Sequence, residues 1–404
     1  MKIVLLGATA LVVVSTVALS ANRPPDRPTA GPPSCDPAVQ VPTGFCAVLV
    51  AEGLRAPRHI VVALNGDIFA ASNRGGVIAL RDSDGDGVAE TRKEWGREGG
   101  TGIALAEGYL WFAANETIYR WKWAPGQLEP TEAAEVVVQG LPSGGHTAKP
   151  IVVKDGFLYV DFGSGTNSCQ LLDRSARSPG QMPCAELGQR AGIWRFSSTR
   201  IGQSPSEGIR FATGLRNPMA LAIEPTTGAL WMATHGRDQL GDNWGFSDSL
   251  NAELPAEEFG PVPQGADYGW PYCYYDELKG VKVQSPEYGG DGIKVGDCGT
   301  KRVPAIGFPG HWAPIGLTFY GANSFPVAYR GARSSPSTVR GTARPSRRRG
   351  IGWSTSPSVM AGPAARTRPS CRAPGPTRSG RSGSRSGRTA RYMSDPTRRG
   401  RSGR

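Results

Sequence analysis

A short unit recurs along the chain: an apolar strand, a glycine-containing turn, then a second apolar or aromatic strand. It reads PRHIVVALNGDIFAAS from Pro57, TGIALAEGYLWFAA from Thr101 and KPIVVKDGFLYVDFG from Lys149. It returns as NPMALAIEPTTGALWMATHG from Asn217 and APIGLTFYGANSFP from Ala313. Asn65-Gly66, Glu107-Gly108, Asp155-Gly156 and Thr227-Gly228 occupy the turns, where glycine takes positive φ without steric cost. Outer strands GVIALRD, TIYRWKW and AGIWRF follow three of the units. Four-stranded modules at this spacing predict an all-β fold built of propeller blades; periodicity alone leaves a β-sandwich open. The later intervals are longer, which places inserted loops there, and long structured loops on a rigid scaffold tend to carry function.

The N-terminus predicts export. Met1-Lys2 precedes an apolar run from Ile3 to Leu19, then Ser20 and Ala21, the order of a signal peptide over residues 1–21. The run is short for a membrane span, so no stable membrane insertion is expected beyond an uncleaved signal anchor. A periplasmic or secreted location follows. Residues 22–34 read as a stiff Pro-rich spacer, residues 35–332 as the β-domain and residues 333–404 as a separate tail. In an exported chain the six body cysteines suggest disulfides. They fall into local couples, Cys35–Cys46, Cys169–Cys184 and Cys273–Cys298, although sequence alone allows other connectivities. No Cys-x-x-Cys pair points to a metal.

Charge separates body from tail. The segment from Arg333 to Arg404 holds 18 arginines, no lysine and one acid, Asp395; the rest has 28 basic and 33 acidic residues. The body is therefore mildly acidic, and the whole-chain net charge of +12 says nothing about its surface.

Three motifs carry candidate chemistry. GGHTAKP sets His146 at the entrance of one strand. GLRNPMALA sets Arg216 and Asn217 just before another, and HGRDQLGDNW sets His235, Gly236, Arg237 and Asp238 just after a third. In a propeller these positions meet at one end of the central channel, as a polar ligand or metal site requires. RDSDGDGVAE resembles a calcium loop, but Lys93 stands at its twelfth position, which excludes an EF-hand; a solvated outer hairpin is expected. Asn115 opens a glycosylation pattern, taken here as incidental.

These motifs, together with GSGTNSC, GADYGWPYCYYD and APIGLTFYG, resemble the soluble glucose/sorbosone dehydrogenases that use pyrroloquinoline quinone (PQQ), especially the L-sorbosone dehydrogenase-like branch. The resemblance runs from about Gly53 to Ala332. It implies a six-bladed β-propeller with calcium-bound PQQ across the channel, a small sugar as substrate and an external electron acceptor. It makes His146 the general base that takes the substrate hydroxyl proton, as suits an imidazole titrating near working pH. Arg216, Asn217 and His235 then line the cofactor, and the Gly236 and Arg237 backbone carbonyls ligate calcium. Two positions depart from the family: Ser164 stands where some members carry an Asp that orients the base, and His235 where the glucose branch has an amide. Six-bladed propellers also serve as metal-dependent lactonases and non-catalytic binding modules, but a lactonase calls for converging acidic side chains, which these motifs do not supply.

The tail bears on the fold. After Ala332 the resemblance calls for a strand like Phe-Ile-Ala-Gln-His-Gly-Ser-Trp-Asn-Arg, and none is written. Joining the last base of each codon under residues 333–344 to the first two of the next can spell that strand. The same frame under GIGWSTSPS permits the next one. The tail is therefore expected to be out-of-frame translation, which leaves the propeller incomplete; the alternative is a disordered basic tail. On the first reading its charge implies no nucleic-acid partner.

Overall fold

The computed structural model of the chain describes residues 34–39, 41 and 44–321, and the backbone of 337–340. The expected signal peptide, nearly all of the spacer, Cys371 and the rest of the tail lie outside the described residues.

Four four-stranded antiparallel sheets follow one another along the chain. The first runs Pro57–Val62, Ile68–Ser72, Val77–Arg81, Thr91–Trp95; the second runs Gly100–Ala106, Tyr109–Ala114, Thr117–Lys122, Glu135–Gln139. The third comprises Ile151–Lys154, Phe157–Phe162, Gly192–Ser197 and Ile209–Thr213, and the short strand Ala266–Asp267 adds to its outer edge in parallel. The fourth comprises Asn217–Ile223, Leu230–His235, Glu257–Pro261 and Ile306–Phe308. A further strand, Gly316–Phe319, pairs with the backbone of Ser337–Arg340. The first four recurring units of the sequence are thus the inner hairpins of these sheets, in a propeller arrangement; of the fifth, Gly316–Phe319 is a strand and its residues after Gly321 lie outside the described ones.

Turn chemistry sets the hairpins. Glu107-Gly108 and Asp155-Gly156 hold positive φ at both residues, the type I′ geometry whose twist matches the strands it joins. Apolar side chains then pack between successive sheets. Trp111, Ile118, Val137, Leu158, Phe162 and Trp194 fill the space between the second and third, with Phe162 stacked on Trp194 at 4.5 Å.

All three expected disulfides are present: Cys35–Cys46, Cys169–Cys184 and Cys273–Cys298. Each closes a local loop, worth about 2–4 kcal/mol, chiefly by restricting the unfolded chain. The last two pin insertions at the channel mouth. No helix among the described residues is long and apolar enough to cross a membrane. In the acidic hairpin, Asp82, Asp84, Asp86 and Glu90 converge, and each accepts a backbone N–H of its own loop.

Candidate active site

His146 follows the turn Gly144-Gly145 and precedes the inner strand of the third sheet. Gly145 has φ +59°, and a Cβ there would stand 2.3 Å from the Gly165 carbonyl, so the turn lies directly against the loop that carries Ser164. The His146 backbone N–H donates to the Ser164 carbonyl at 2.9 Å. Its ring Nδ1 is 2.9 Å from both that carbonyl and the Ser164 hydroxyl. A carbonyl only accepts, so Nδ1 carries the proton. The Ser164 hydroxyl spends its own hydrogen on the Thr166 carbonyl at 2.6 Å and turns a lone pair to the ring. Nε2 is left as the bare nitrogen. Burial, then the charge of Arg216, lower the His146 pKa to about 3. This corrects the expectation of a group titrating near neutrality: the ring has lost much of its water and faces a guanidinium.

Arg216 is a buried hub. Its Nε donates to the Asn167 carbonyl at 3.1 Å, Nη1 to the Gly236 carbonyl at 2.8 Å, and Nη2 to Asn167 Oδ1 at 3.1 Å and Asp238 Oδ2 at 3.0 Å. Its own carbonyl accepts the Ser164 N–H at 2.7 Å, which ties the strand entrance to the His146 pair. Asn217 Nδ2 lies 3.4 Å from His235 Nδ1, and His235 Nε2 donates to the Pro314 carbonyl at 2.9 Å. Burial lowers the His235 pKa to about 4. Arg237 turns its side chain away, into a buried pair with Glu287 on the insertion. The sequence-derived residues therefore gather at one end of the channel, except for the Arg237 side chain.

The structure gives the motif residue Asp238 a role and adds residues that the motifs did not single out. Asp238 binds Arg216 and Arg174 and faces His311 Nδ1 at 3.7 Å. Burial raises its pKa, but His311, Arg216 and Arg174 outweigh that and hold it well below the usual carboxylate range. His311 Nε2 donates to the Asn251 carbonyl at 2.7 Å, and the Asp238 hydrogen bond raises its pKa. Glu257, fully buried, accepts the N–H groups of Gly236 and His311, each at 3.0 Å; burial carries it up to about 7. Acidic groups do converge here, contrary to the sequence reading, but each is held by cations or backbone donors. Arg58 and His59 enter from the head of the first inner strand, with Arg58 Nε and His59 Nε2 buried and unpartnered. Trp270 of the YGWP motif donates to the Asn167 carbonyl at 3.0 Å, so that motif braces the Arg216 hub. Below this end, Ile60, Ile103, Ile151, Leu221 and Leu317 line an apolar cavity of about 350 Å³ between the inner strands.

A family model described as TrAA12-like matches residues 39–342. The chain belongs to the TrAA12-like family. Among similar proteins is the pyrroloquinoline quinone-dependent sugar dehydrogenase of Hypocrea jecorina, 21% identical over 318 residues and covered to 70% in both chains. Another is the aldose sugar dehydrogenase YliI of Escherichia coli, 26% identical over 202 residues; the match covers 46% of this chain and 43% of that one, less than half its length. The fold resembles the PQQ domain of Coprinopsis cinerea pyranose dehydrogenase in its holo form, with a TM-score of 0.58 at 17% identity over 70% of this chain and 73% of that one. In this TrAA12-like chain, then, the channel end that gathers His146, Ser164 and Arg216 is the candidate active site.

Proposed function

We propose that this TrAA12-like chain derives from an exported PQQ- and calcium-dependent dehydrogenase that oxidises an aldose or sugar aldehyde within a six-bladed propeller. One observation carries the reading. His146 has its Nδ1 proton held inward by Ser164 and its Nε2 bare, beside a cationic cluster at the head of the channel.

The residues present fit the quinone. Arg58 Nε, His59 Nε2 and Asn217 Oδ1 are buried polar atoms without partners at the heads of two inner strands. Arg216 makes four side-chain bonds and keeps one N–H of its five. Arginines and His311 outnumber the acids around Asp238, which suits an anionic aromatic group. Bound there, PQQ supplies the hydride acceptor. His146 Nε2 takes the hydroxyl proton from the sugar carbon being oxidised. With its pKa at about 3, its lone pair is available at any ordinary working pH. Ser164 keeps the ring in the tautomer that leaves Nε2 free.

Calcium fits less well. The Gly236 carbonyl assigned to it already accepts from the Arg216 guanidinium at 2.8 Å, so a divalent cation on that oxygen would meet a like charge. The second lone pair of that carbonyl and the Arg237 carbonyl would be the ligands left for the ion.

The same reading takes the tail from Arg333 as wrong-frame text, so that the chain as written is expected to be inactive. The test is a frame-restored chain supplied with PQQ and Ca²⁺ and assayed for dye reduction with aldoses and sorbosone. Turnover that vanishes in His146→Ala is the expected result. No turnover at all, or full turnover in the variant, would sink the proposal.

A further inference from the structure

The segment between strands Phe157–Phe162 and Gly192–Ser197 is far longer than a hairpin needs. It leaves the sheet through Ser164, is cross-linked by Cys169–Cys184, and returns through the 3₁₀ helix Ala185–Gly188. Two side chains from this return path reach back to the segments that flank the candidate base. Glu186 Oε2 accepts the Gly165 N–H at 2.5 Å and the Thr166 N–H at 3.3 Å, and Glu186 Oε1 accepts the Thr166 hydroxyl. Arg190 forks onto the turn ahead of His146, with Nη1 on the Gly144 carbonyl at 2.9 Å and Nη2 on the Ser143 carbonyl. A Cβ on Gly165 would stand 3.2 Å from Glu186 Oε2 and 3.4 Å from Arg190 Nη1, so glycine there lets both approach.

We infer that Glu186 and Arg190 are positioning residues that fix the tautomer of His146, with the Cys169–Cys184 bridge holding them in place; the inference rests on the reading of His146 as the base. The geometry gives the reason. Glu186 clamps Thr166, and the Thr166 carbonyl takes the Ser164 hydroxyl hydrogen at 2.6 Å. While that bond holds, the Ser164 oxygen can only accept from His146 Nδ1. Once the clamp is gone, the hydroxyl is free to rotate and donate to Nδ1 in competition with the Ser164 carbonyl, which accepts from that nitrogen at 2.9 Å; in the molecules where the hydroxyl wins, the imidazole proton sits on Nε2 and the lone pair the reaction needs is gone. Arg190 does the matching work on the histidine side by fixing the turn that presents the ring. The thiol bridge enters because the helix that carries Glu186 begins at Ala185, directly after Cys184. A carboxylate taking two backbone N–H groups and a hydroxyl is a strong clamp, since charge-assisted bonds are about twice as strong as neutral ones.

The test is imidazole ¹⁵N NMR of the full chain. It has only four histidines, and His146→Gln identifies the relevant resonances. The wild type is expected to show one tautomer, with Nδ1 protonated and Nε2 bare. Glu186→Ala is expected to show a mixture with Nε2–H, and Arg190→Met a smaller shift in the same direction, partly restored in Arg190→Lys. Where turnover is measurable, kcat should fall about tenfold or more in Glu186→Ala with KM little changed. Glu186→Gln, which keeps size and one acceptor, replaces the alanine variant if that one fails to fold. A single Nδ1–H tautomer in the Glu186 and Arg190 variants overturns the inference and leaves the base assignment standing. Full turnover in His146→Gln would instead remove the base assignment, whatever the tautomer result.

Discussion

His59, His146 and His235 are held uncharged, at about 4, about 3 and about 4, in each case mainly by burial. An unfolded histidine titrates near 6.5, so below that pH the unfolded chain takes up protons that the folded chain refuses. Their contribution to stability is complete above pH 6.5 and is lost as the pH falls toward 4. The loss reaches at most about 1.4 kcal/mol per pH unit for each histidine. His311 runs the other way: its raised pKa adds stability below 6.5 that disappears as the pH climbs through the raised value. Glu257 and Glu277, raised to about 7, join His311 in binding protons in the folded chain over this range, so the histidine share is read from the variant: between pH 7 and pH 5 the urea midpoint of His235→Gln is expected to shift in the stabilising direction relative to the wild type. An equal slope in that variant would show that His235 is not held neutral. For turnover, the low value at His146 predicts no acid limb near 6.5 from the base itself. Substituting His146 by Gln should cost on the order of 10²–10⁴-fold in kcat/KM, as loss of a general base does.

Among the elements, the head of the third sheet contains a pairing that the site does not use. Lys149 is buried, donates to the Thr147 carbonyl at 2.8 Å, and faces Asp161, whose two carboxylate oxygens are buried without a hydrogen bond. Burial drives Asp161 well above the usual carboxylate range, and Lys149 only partly offsets it. Burial likewise brings Lys149 down to about 8. A buried pair with such poor mutual contact gains little from its charges. Removing either partner alone should destabilise by about 3–5 kcal/mol, whereas Lys149→Met with Asp161→Leu should be no less stable than the wild type. Urea denaturation of the four-member cycle checks this, and additive losses would refute it. The hairpins were legible in the sequence because Glu107-Gly108 and Asp155-Gly156 state their turn type locally. The disulfides were legible because each couple is close in sequence. His146, Arg216 and Asn217 were legible because strand entrances face the channel. Glu186, Glu257 and His311 were not, since insertions and later strands bring them to the site and no local pattern marks their destination. Ser164 could be found from the family's pattern at that position, but not its hydroxyl direction, which depends on Thr166 and Glu186.

At the scale of the molecule, the sheets differ at their inner edges. Strands Gly100–Ala106 and Asn217–Ile223 begin with four buried residues each. In the first inner strand, Ile60 is 60% exposed and Val62 55%, and Leu64 in the turn beyond is fully exposed. A propeller sheet needs a neighbour on both faces; here the first sheet packs against the second on one face, while on the other Val50, Ala51 and Leu54 cover Ala70, Ile78 and Leu80 of its middle strands but leave the inner strand exposed. Apolar side chains left in water forgo roughly 1.5–3 kcal/mol each relative to full burial, and an uncovered sheet invites self-association. The Arg-rich text after Ala332 has few apolar residues; the strands that the shifted frame can spell would bring them. Restoring the frame should therefore raise the melting temperature, reduce self-association, and slow hydrogen exchange at Ile60 and Val62. Sequencing the gene across codons 325 to 404 decides the premise first. An unbroken frame in high-quality reads would make the exposed first strand a property of the natural chain, and whatever covers it would then have to come from another molecule.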